Sequence, residues 1–224
     1  NSSPDPLAEA VKIPLLKGIQ TVIGEKRFWP LSVWFFFDCG IFFSFGALWS
    51  GPYLMDVYGM SRAETGTVLS MIAWGMIVGS PLLGLISDKF LKSRKKPMVM
   101  SSALLTVLML VFYLFPGSLS KPALYLFFFL FSVSSSAIVA IGFTTAKELF
   151  PVAIAGTSVG TVNLFPFLGG ALFMPILGKV LDNYQKTASG GYPLEGYTAL
   201  ILILLISSTV ALVCTLLLKE TFET

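Results

Sequence analysis

Six apolar stretches separated by short polar segments dominate the 224-residue chain. A helix needs about 20 apolar residues in a row to cross the hydrocarbon core of a bilayer, and each stretch is about that long. The pattern therefore predicts six membrane-spanning helices. Their expected bounds are residues 28–53, 65–87, 98–115, 122–146, 152–179 and 197–218.

Two polar segments flank this predicted transmembrane domain of residues 28–218. Residues 1–27 form a leader in which apolar side chains recur every four positions from Leu7 to Ile23. That spacing is typical of an amphipathic helix on a membrane surface or a partner, although Pro14 must interrupt it and a floppy tail fits the spacing equally well. Residues 219–224 are expected to form a short tail.

The composition excludes several classes of protein. Only 12% of the residues are charged, against about 25% in a soluble domain, so the pattern indicates an integral membrane protein. Histidine is absent, and the two cysteines, Cys39 and Cys214, lie in apolar stretches. We expect no metal site, cofactor, disulfide framework or nucleic-acid partner, and no motif of an enzyme is present.

Charge predicts the orientation in the membrane. Five Lys and Arg side chains lie between Lys89 and Lys96, in the loop that joins the second and third spans. Loops rich in Lys and Arg stay in the cytoplasm. With both termini on that side as well, eleven of the fifteen basic residues are cytoplasmic. The prediction is a multi-pass protein of the cell (inner) membrane with both termini in the cytoplasm.

The chain also carries an internal repeat with an offset of 94 residues. The second and fifth spans correspond, and they cross the membrane in opposite directions. We therefore predict an all-α fold of two inverted three-helix repeats, a plan found in secondary transporters. The repeated residues are Gly66-Thr67-Val68, Gly75, Pro81, Leu83, Gly84 and Asp88, which return as Gly160-Thr161-Val162, Gly169, Pro175, Leu177, Gly178 and Asp182.

Three segments resemble the major facilitator superfamily. The run from Gly84 to Lys89, followed by Lys92 and Arg94, resembles the signature between the second and third helices of a six-helix half. The second glycine of that signature is replaced here by Leu91 or Ser93. Residues 148–160 resemble the segment joining the fourth and fifth helices, and residues 164–170 resemble the glycine-rich fifth helix.

The resemblance implies the C-terminal half of a transporter, with residues 1–27 as the cytoplasmic interdomain linker. A small-molecule substrate would move by alternating access, with proton or exchange coupling. The missing partner would be the N-terminal six-helix half, and two copies of the fragment could also pair. Residues 148–182 resemble the organophosphate and sugar-phosphate permeases, which hold phosphate with an arginine from the first helix of each half. The span at 28–53 contains no such arginine.

Two other functions remain open on the sequence alone. The chain could be a complete six-helix channel or the membrane domain of a pump. It could also be a scaffold or receptor that transports nothing.

Asp38 is the one ionisable side chain deep inside a predicted span. A charge at the bilayer centre costs roughly 2.5–3.5 kcal/mol on insertion scales. Either a cation from outside the fragment pairs with Asp38, or the carboxyl carries a proton. We predict that it lines the central cavity as a substrate or proton-coupling residue, although a carboxylate snorkelling to the interface is an alternative. Aromatic residues expected on the same face are Trp34, Phe42, Phe45 and Trp49.

The fifth span contains further candidates. Asn163 is the best uncharged polar residue for the cavity, and Pro166, Gly169, Gly170 and Pro175 are predicted to let the helix bend. Ordinary close packing is the alternative for the glycines. In the fourth span, the small residues at positions 132, 136 and 140 are expected to form a packing seam.

The loop after the second span is predicted to act as a conformational gate. Its Asp88 carboxylate is expected to face a helix N-terminus or a loop cation and to stabilise one transport state. A plain interfacial charge is the alternative. Lys147 and Glu148 lie at the inner edge, where a structural ion pair is expected. The gate residues are Gly84, Asp88, Lys89, Lys92 and Arg94.

Overall fold

The computed structural model describes residues 14–222, so the predicted helical positions before Pro14 lie outside the described residues. A short helix, α1, precedes six helices that are long and apolar enough to cross a bilayer. The six predicted spans are thereby confirmed, and residues 14–222 contain no β-strand. The helices are α1 (Leu15–Gly24), α2 (Phe28–Tyr58), α3 (Arg62–Leu91), α4 (Lys95–Leu114), α5 (Lys121–Glu148), α6 (Val152–Asp182) and α7 (Leu194–Leu217).

The loops gather at two ends of the bundle. At the basic end, defined by loop residues 92–94, Arg94 bonds to Glu148 at the end of α5 and to Glu220 after α7. At the opposite end, the loops at 59–61, 115–120 and 183–193 lie together, since the Leu119 N–H donates to the Tyr58 hydroxyl. Asp88 and Asp182 therefore lie at opposite ends of the bundle.

The helix packing follows the inverted repeat. The most extensive contacts are those of α3 with α5 and of α2 with α6, which are equivalent pairs when α2–α4 is superposed on α5–α7. A Cβ on Gly75 would lie closer than 3.0 Å to the Phe129 carbonyl oxygen of α5. A Cβ on the equivalent Gly169 would come as close to the Phe36 carbonyl oxygen of α2. The same type of backbone contact therefore joins both pairs.

The small residues of the fourth predicted span form the expected seam. Ser132 packs against Gly75, and Ser136 packs against Gly79 one turn further along α3. The Ser132 hydroxyl also donates to the Ile72 carbonyl at 2.5 Å. The seam prediction is confirmed at these two serines. The seam holds α5 close to α3, and the opposite face of α3 is exposed.

Aromatic side chains fill the core towards the opposite end. Phe45 of α2 contacts Phe112 of α4 and Phe128 of α5, with ring centroids about 6 Å apart. At the basic end, α1 packs on the first part of α6, where Gly18 meets the Thr157 side chain. The aromatic core therefore supports α2 and α5 towards the opposite end, and α1 supports α6 at the basic end.

Candidate functional site

Three helices depart from regular α geometry near one level of the bundle. Helix α2 contains a π-helical segment at Phe42–Trp49, and α5 contains one at Ile138–Gly142. Helix α6 is interrupted at Asn163, between Val152–Val162 and Leu164–Asp182. Pro166 explains that interruption, because it has no N–H to donate to the carbonyl one turn earlier. π-Helical segments are frequent at functional sites.

A groove of about 300 Å³ lies where these three irregular segments meet. That volume is at the lower end of the range of small-molecule pockets. Four helices from both repeats, α2, α3, α5 and α6, form its walls. Its lining residues are Cys39, Phe42, Phe43, Met76, Ile138, Val139, Phe143, Asn163, Pro166 and Phe167.

The groove offers aromatic faces and one amide. Phe42 and Phe43 from α2 face Phe143 from α5 and Phe167 from α6, and Asn163 is its polar side chain. No charged residue lines it. Such a surface can stack against an apolar or sugar ring and give that ring one hydrogen-bonding partner.

Three of the predicted site residues, Phe42, Asn163 and Pro166, are brought together in this groove. Sequence reasoning missed Phe43, Met76, Phe143 and Phe167. The site role of Phe42 and Asn163 stays a prediction.

Asp38 lies inside the bundle and not on the groove as expected. Its side chain is 1% exposed, and its Oδ2 atom has no hydrogen-bond partner among residues 14–222. Ser135 of α5 lies beside the carboxyl, and the Ser135 hydroxyl is likewise without a partner there. The structure thus places an acid and a hydroxyl from two helices together in the buried interior, where a polar group without a hydrogen bond is costly.

The other three aromatic residues predicted for the site, Trp34, Phe45 and Trp49, contact neighbouring helices. Trp34 is fully buried and donates its Nε1–H to the Ser102 hydroxyl of α4 at 2.9 Å. Phe45 is fully buried in the core. Trp49 is half-buried and donates its Nε1–H to the Met174 carbonyl of α6 at 3.3 Å. These three side chains pack α2 against its neighbours. Trp34 and Phe45 are buried and do not face the cavity as expected, whereas the site role of the half-buried Trp49 stays a prediction.

The predicted helix-bending residues of α6 behave differently from one another. Pro166 lines the groove, and the helix breaks one turn before it. Gly169 and Gly170 let α6 approach Phe36 and Phe43 of α2. Pro175 lies within the continuous helix Leu164–Asp182.

Arg94 is the centre of an ion-pair cluster at the basic end. Its guanidinium binds Asp88 and donates to Glu148 Oε1 at 2.9 Å and to the Ser87 hydroxyl at 2.9 Å. The Arg94 side chain is only 12% exposed. Asp88 is therefore paired with a loop cation, one of its two expected partners, and Glu148 forms a structural ion pair with Arg94 and not with Lys147. We call Asp88, Arg94 and Glu148 the basic clasp.

The remaining gate residues make fewer contacts. Lys89 and Lys92 are exposed and form no ion pair among the residues that the structure describes. A Cβ on Gly84 would meet nothing within 4 Å. The gate role of all five residues stays a prediction.

The chain after α7 is fastened to the basic clasp. Glu220 accepts hydrogen bonds from the Ser93 hydroxyl and from the Arg94 N–H, the latter at 2.7 Å. Partial burial raises the pKa of Glu220, but these hydrogen bonds outweigh it and leave the pKa below its ordinary value. Thr221 donates to Glu148 at 2.8 Å. Next to the clasp, Phe150, Val152 and Phe222 line an open cavity of about 680 Å³.

Comparison with known proteins identifies the family. The model described as "Major Facilitator Superfamily" matches residues 2–174, which is more than half of the chain. The chain belongs to the Major Facilitator Superfamily. Membership agrees with the six spans and the inverted repeat, and it shows a multi-pass membrane protein of a transporter family.

Two curated members of the superfamily are similar to this chain. One is the glycerol-3-phosphate transporter of Bacillus subtilis (strain 168), 29% identical over 187 residues, which are 77% of this chain and 38% of that protein. The other is the raffinose permease of Escherichia coli, 29% identical over 193 residues, which are 80% of this chain and 41% of that protein. The chain thus spans about two fifths of the length of these relatives.

Solved structures of the superfamily share the fold. Two structures of a bacterial homologue of the human lysosomal transporter Spinster match at 16% identity. The inward-facing, occupied form has a TM-score of 0.62 over 87% of this chain and 49% of that one. The inward-facing, unoccupied form has a TM-score of 0.60 over 99% of this chain and 53% of that one. The chain corresponds to about half of these folds.

Proposed function

We propose that this chain is the C-terminal six-helix half of a secondary transporter that moves a small solute by alternating access. The groove carries the proposal, because walls from both inverted repeats meet there at the three irregular segments of α2, α5 and α6. Inverted-repeat transporters bind their substrates where repeats meet and where helices are discontinuous. A second six-helix half would supply the facing wall.

The chemistry of the groove favours a solute with a neutral ring. Phe42, Phe143 and Phe167 offer stacking faces, and Asn163 offers an amide. The two similar relatives are named for glycerol 3-phosphate and for raffinose. Since no cation lines this groove, any group that binds phosphate would come from the other half. We therefore propose that this half recognises the sugar-like part of its substrate.

Asp38 is proposed as the coupling residue. A buried carboxyl is sensitive to gaining or losing a proton, and the neighbouring Ser135 lies on α5, which carries one of the π segments. Proton binding would then change the packing of α2 on α5 at the groove. The energy source would be a proton gradient or solute exchange.

The basic clasp is proposed as the cytoplasmic gate. The excess of Lys and Arg at the basic end supports a cytoplasmic location for that end and for both termini. Residues 1–27 would link the two halves at this end. The contact of α1 with α6 would hold the linker against this half. Arg94 ties the loop after α3 to the end of α5, so breaking its ion pairs would free that end to move.

Transport by the full-length protein in proteoliposomes tests this function, with uptake of raffinose and of glycerol 3-phosphate as first probes. Removing the amide in Asn163→Ala should raise KM about twofold to tenfold, because a lost hydrogen bond to substrate costs about 0.5–1.5 kcal/mol. Val107→Ala, on the exposed face of α4, is the matched control and should leave KM unchanged. Equal KM values for the two variants would contradict the assignment of the groove.

The 224-residue chain alone should not carry out coupled uptake unless two copies pair, because one copy supplies one wall of the pathway. Saturable uptake by the monomeric chain at the rate of the full-length protein would contradict a half-transporter. It would favour a complete six-helix channel instead.

A further inference from the structure

The loop between α6 and α7 is fastened to the end of α2. Asp56 of α2 accepts hydrogen bonds from the Tyr192 N–H at 3.0 Å and from the Tyr197 hydroxyl at 2.7 Å. A Cβ on Gly191 would lie closer than 3.0 Å to the Asp56 carboxylate, so only glycine allows this approach. One carboxylate thus holds both the loop and the start of α7.

Tyr192 connects this loop to two further elements. Its hydroxyl donates to Asp182 Oδ1, at the end of α6, at 2.6 Å. That hydrogen bond raises the pKa of the Tyr192 phenol. The ring packs edge-on against Trp49 of α2, at 6.3 Å between centroids, and lies under the Lys186 ammonium at 5.1 Å. Tyr192 therefore joins the ends of α2 and α6 through its backbone and its side chain.

The inverted repeat relates this cluster to the basic clasp. Asp182 is the last residue of α6, Asp88 lies three residues before the end of α3, and the two residues are separated by the repeat offset. Asp56 lies near the end of α2, as Glu148 lies at the end of α5. In each case one loop residue, Tyr192 or Arg94, joins both acids. The two clusters differ in that joining residue, which is cationic at the basic end and neutral at the opposite end.

We propose that Asp56, Asp182 and Tyr192 form a second clasp, the repeat-related counterpart of the basic clasp, with Tyr192 as its positioning residue. It holds the α6–α7 loop on α2 and opposes opening of the bundle at the opposite end. Its consequence for transport rests on the function proposed above. Because its donors are a phenol and an amide, the second clasp depends less on salt than the basic clasp.

Hydrogen exchange of the full-length protein in nanodiscs tests the second clasp directly. Tyr192→Phe removes only the hydroxyl that binds Asp182, and amide exchange in residues 183–193 should become about twofold to tenfold faster, as expected for the loss of one solvent-exposed hydrogen bond. Exchange in residues 87–94 at the basic end should stay unchanged. Tyr125→Phe is the matched control, since the Tyr125 hydroxyl lies near the same end but donates to Thr67.

Transport supplies a second, independent readout. Since Tyr192 does not line the groove, Tyr192→Phe should change the maximal rate and leave KM unchanged. Equal exchange in Tyr192→Phe and Tyr125→Phe would overturn the clasp. An unchanged maximal rate would overturn its part in opening. If the wild-type protein moves no solute, the proposed function fails, and the exchange result still decides whether the clasp exists.

Discussion

Gly75 and Gly169 occupy equivalent positions in the two repeats, and each lets its helix reach a backbone carbonyl of the neighbouring helix. Gly75 meets Phe129 of α5, and Gly169 meets Phe36 of α2. Close contacts at small residues are how helices associate in lipid, where no hydrophobic force drives them together. Gly75 and Gly169 therefore show that the two repeats are similar in helix packing as well as in sequence.

Alanine at either glycine should destabilise the bundle. In Gly169→Ala the new methyl group would overlap the Phe36 carbonyl, and α6 would have to move away from α2. We expect a loss of about 1–3 kcal/mol, seen as a lower unfolding midpoint in detergent, and the same for Gly75→Ala.

Gly156→Ala is the control for these two variants. It lies on the same helix as Gly169, but its Cβ would meet nothing within 4 Å. Its midpoint should stay at or above that of the wild type, since alanine favours a helix more than glycine does. A Gly169→Ala protein as stable as Gly156→Ala would refute the close contact.

Replacing the guanidinium of Arg94 should destabilise the basic clasp. Arg94→Gln loses the ion pairs with Asp88 and Glu148, and hydrogen bonds between charged groups contribute about 1.5–3 kcal/mol. Arg94→Lys should recover only part of that stability, because an ammonium cannot bind two carboxylates in a fixed fork geometry. Thermal unfolding measures both losses. Lys92→Gln, which removes an exposed cation, should be neutral; a comparable loss in that control would show that loop charge and not the clasp matters.

Acid should release the segment after α7. The pKa of Glu220 is lowered in the folded protein, so its contribution to stability is present above the ordinary value of 4.5 and is lost as the pH falls through the lowered value. Limited proteolysis near Phe222 should therefore accelerate below about pH 4.5. Glu220→Gln should be cleaved quickly at every pH. Cleavage independent of pH in the wild type would contradict the anchoring role of Glu220.

Asp38→Asn in the full-length transporter tests coupling. The variant should fold at least as well as the wild type, because it removes an ionisable group from the interior of a membrane helix. Its uptake should lose the pH dependence of the wild type, and Ser135→Ala should weaken that dependence. If pH dependence and affinity both stay unchanged in Asp38→Asn, Asp38 takes no part in the mechanism.

Much of the fold could be predicted because the bilayer imposes length and charge rules on the sequence. The six spans followed from apolar length, and the inverted repeat followed from the spacing of residues such as Pro81 and Pro175. The pairing of Asp88 with a loop cation was one of the two alternatives that the sequence left open, and the short distance along the chain between Asp88 and Arg94 favours it.

The faces of the helices could not be predicted in the same way. Helix α2 is apolar all round, so the sequence does not distinguish the side that packs on α5 from the side that lines the groove. Asp38, Trp34 and Phe45 were expected on the cavity for that reason, and the structure buries them. The π segment from Phe42 to Trp49 changes which side chains of α2 share a face, and no residue pattern predicts this segment. The contacts of Tyr192 depend on a loop in which Gly191 packs against the Asp56 carboxylate, and the sequence pattern does not predict that contact.

Labelling of engineered cysteines tests the inverted repeat most directly, because the native Cys39 and Cys214 are buried. Lys96→Cys reports on the basic end, and Ala188→Cys reports on the loop of the second clasp; both positions are exposed. With a membrane-impermeant maleimide, Ala188→Cys should react from outside intact cells, and Lys96→Cys should react only after the membrane is opened. Reaction of both cysteines from the same side would contradict two oppositely oriented repeats, and with them the half-transporter.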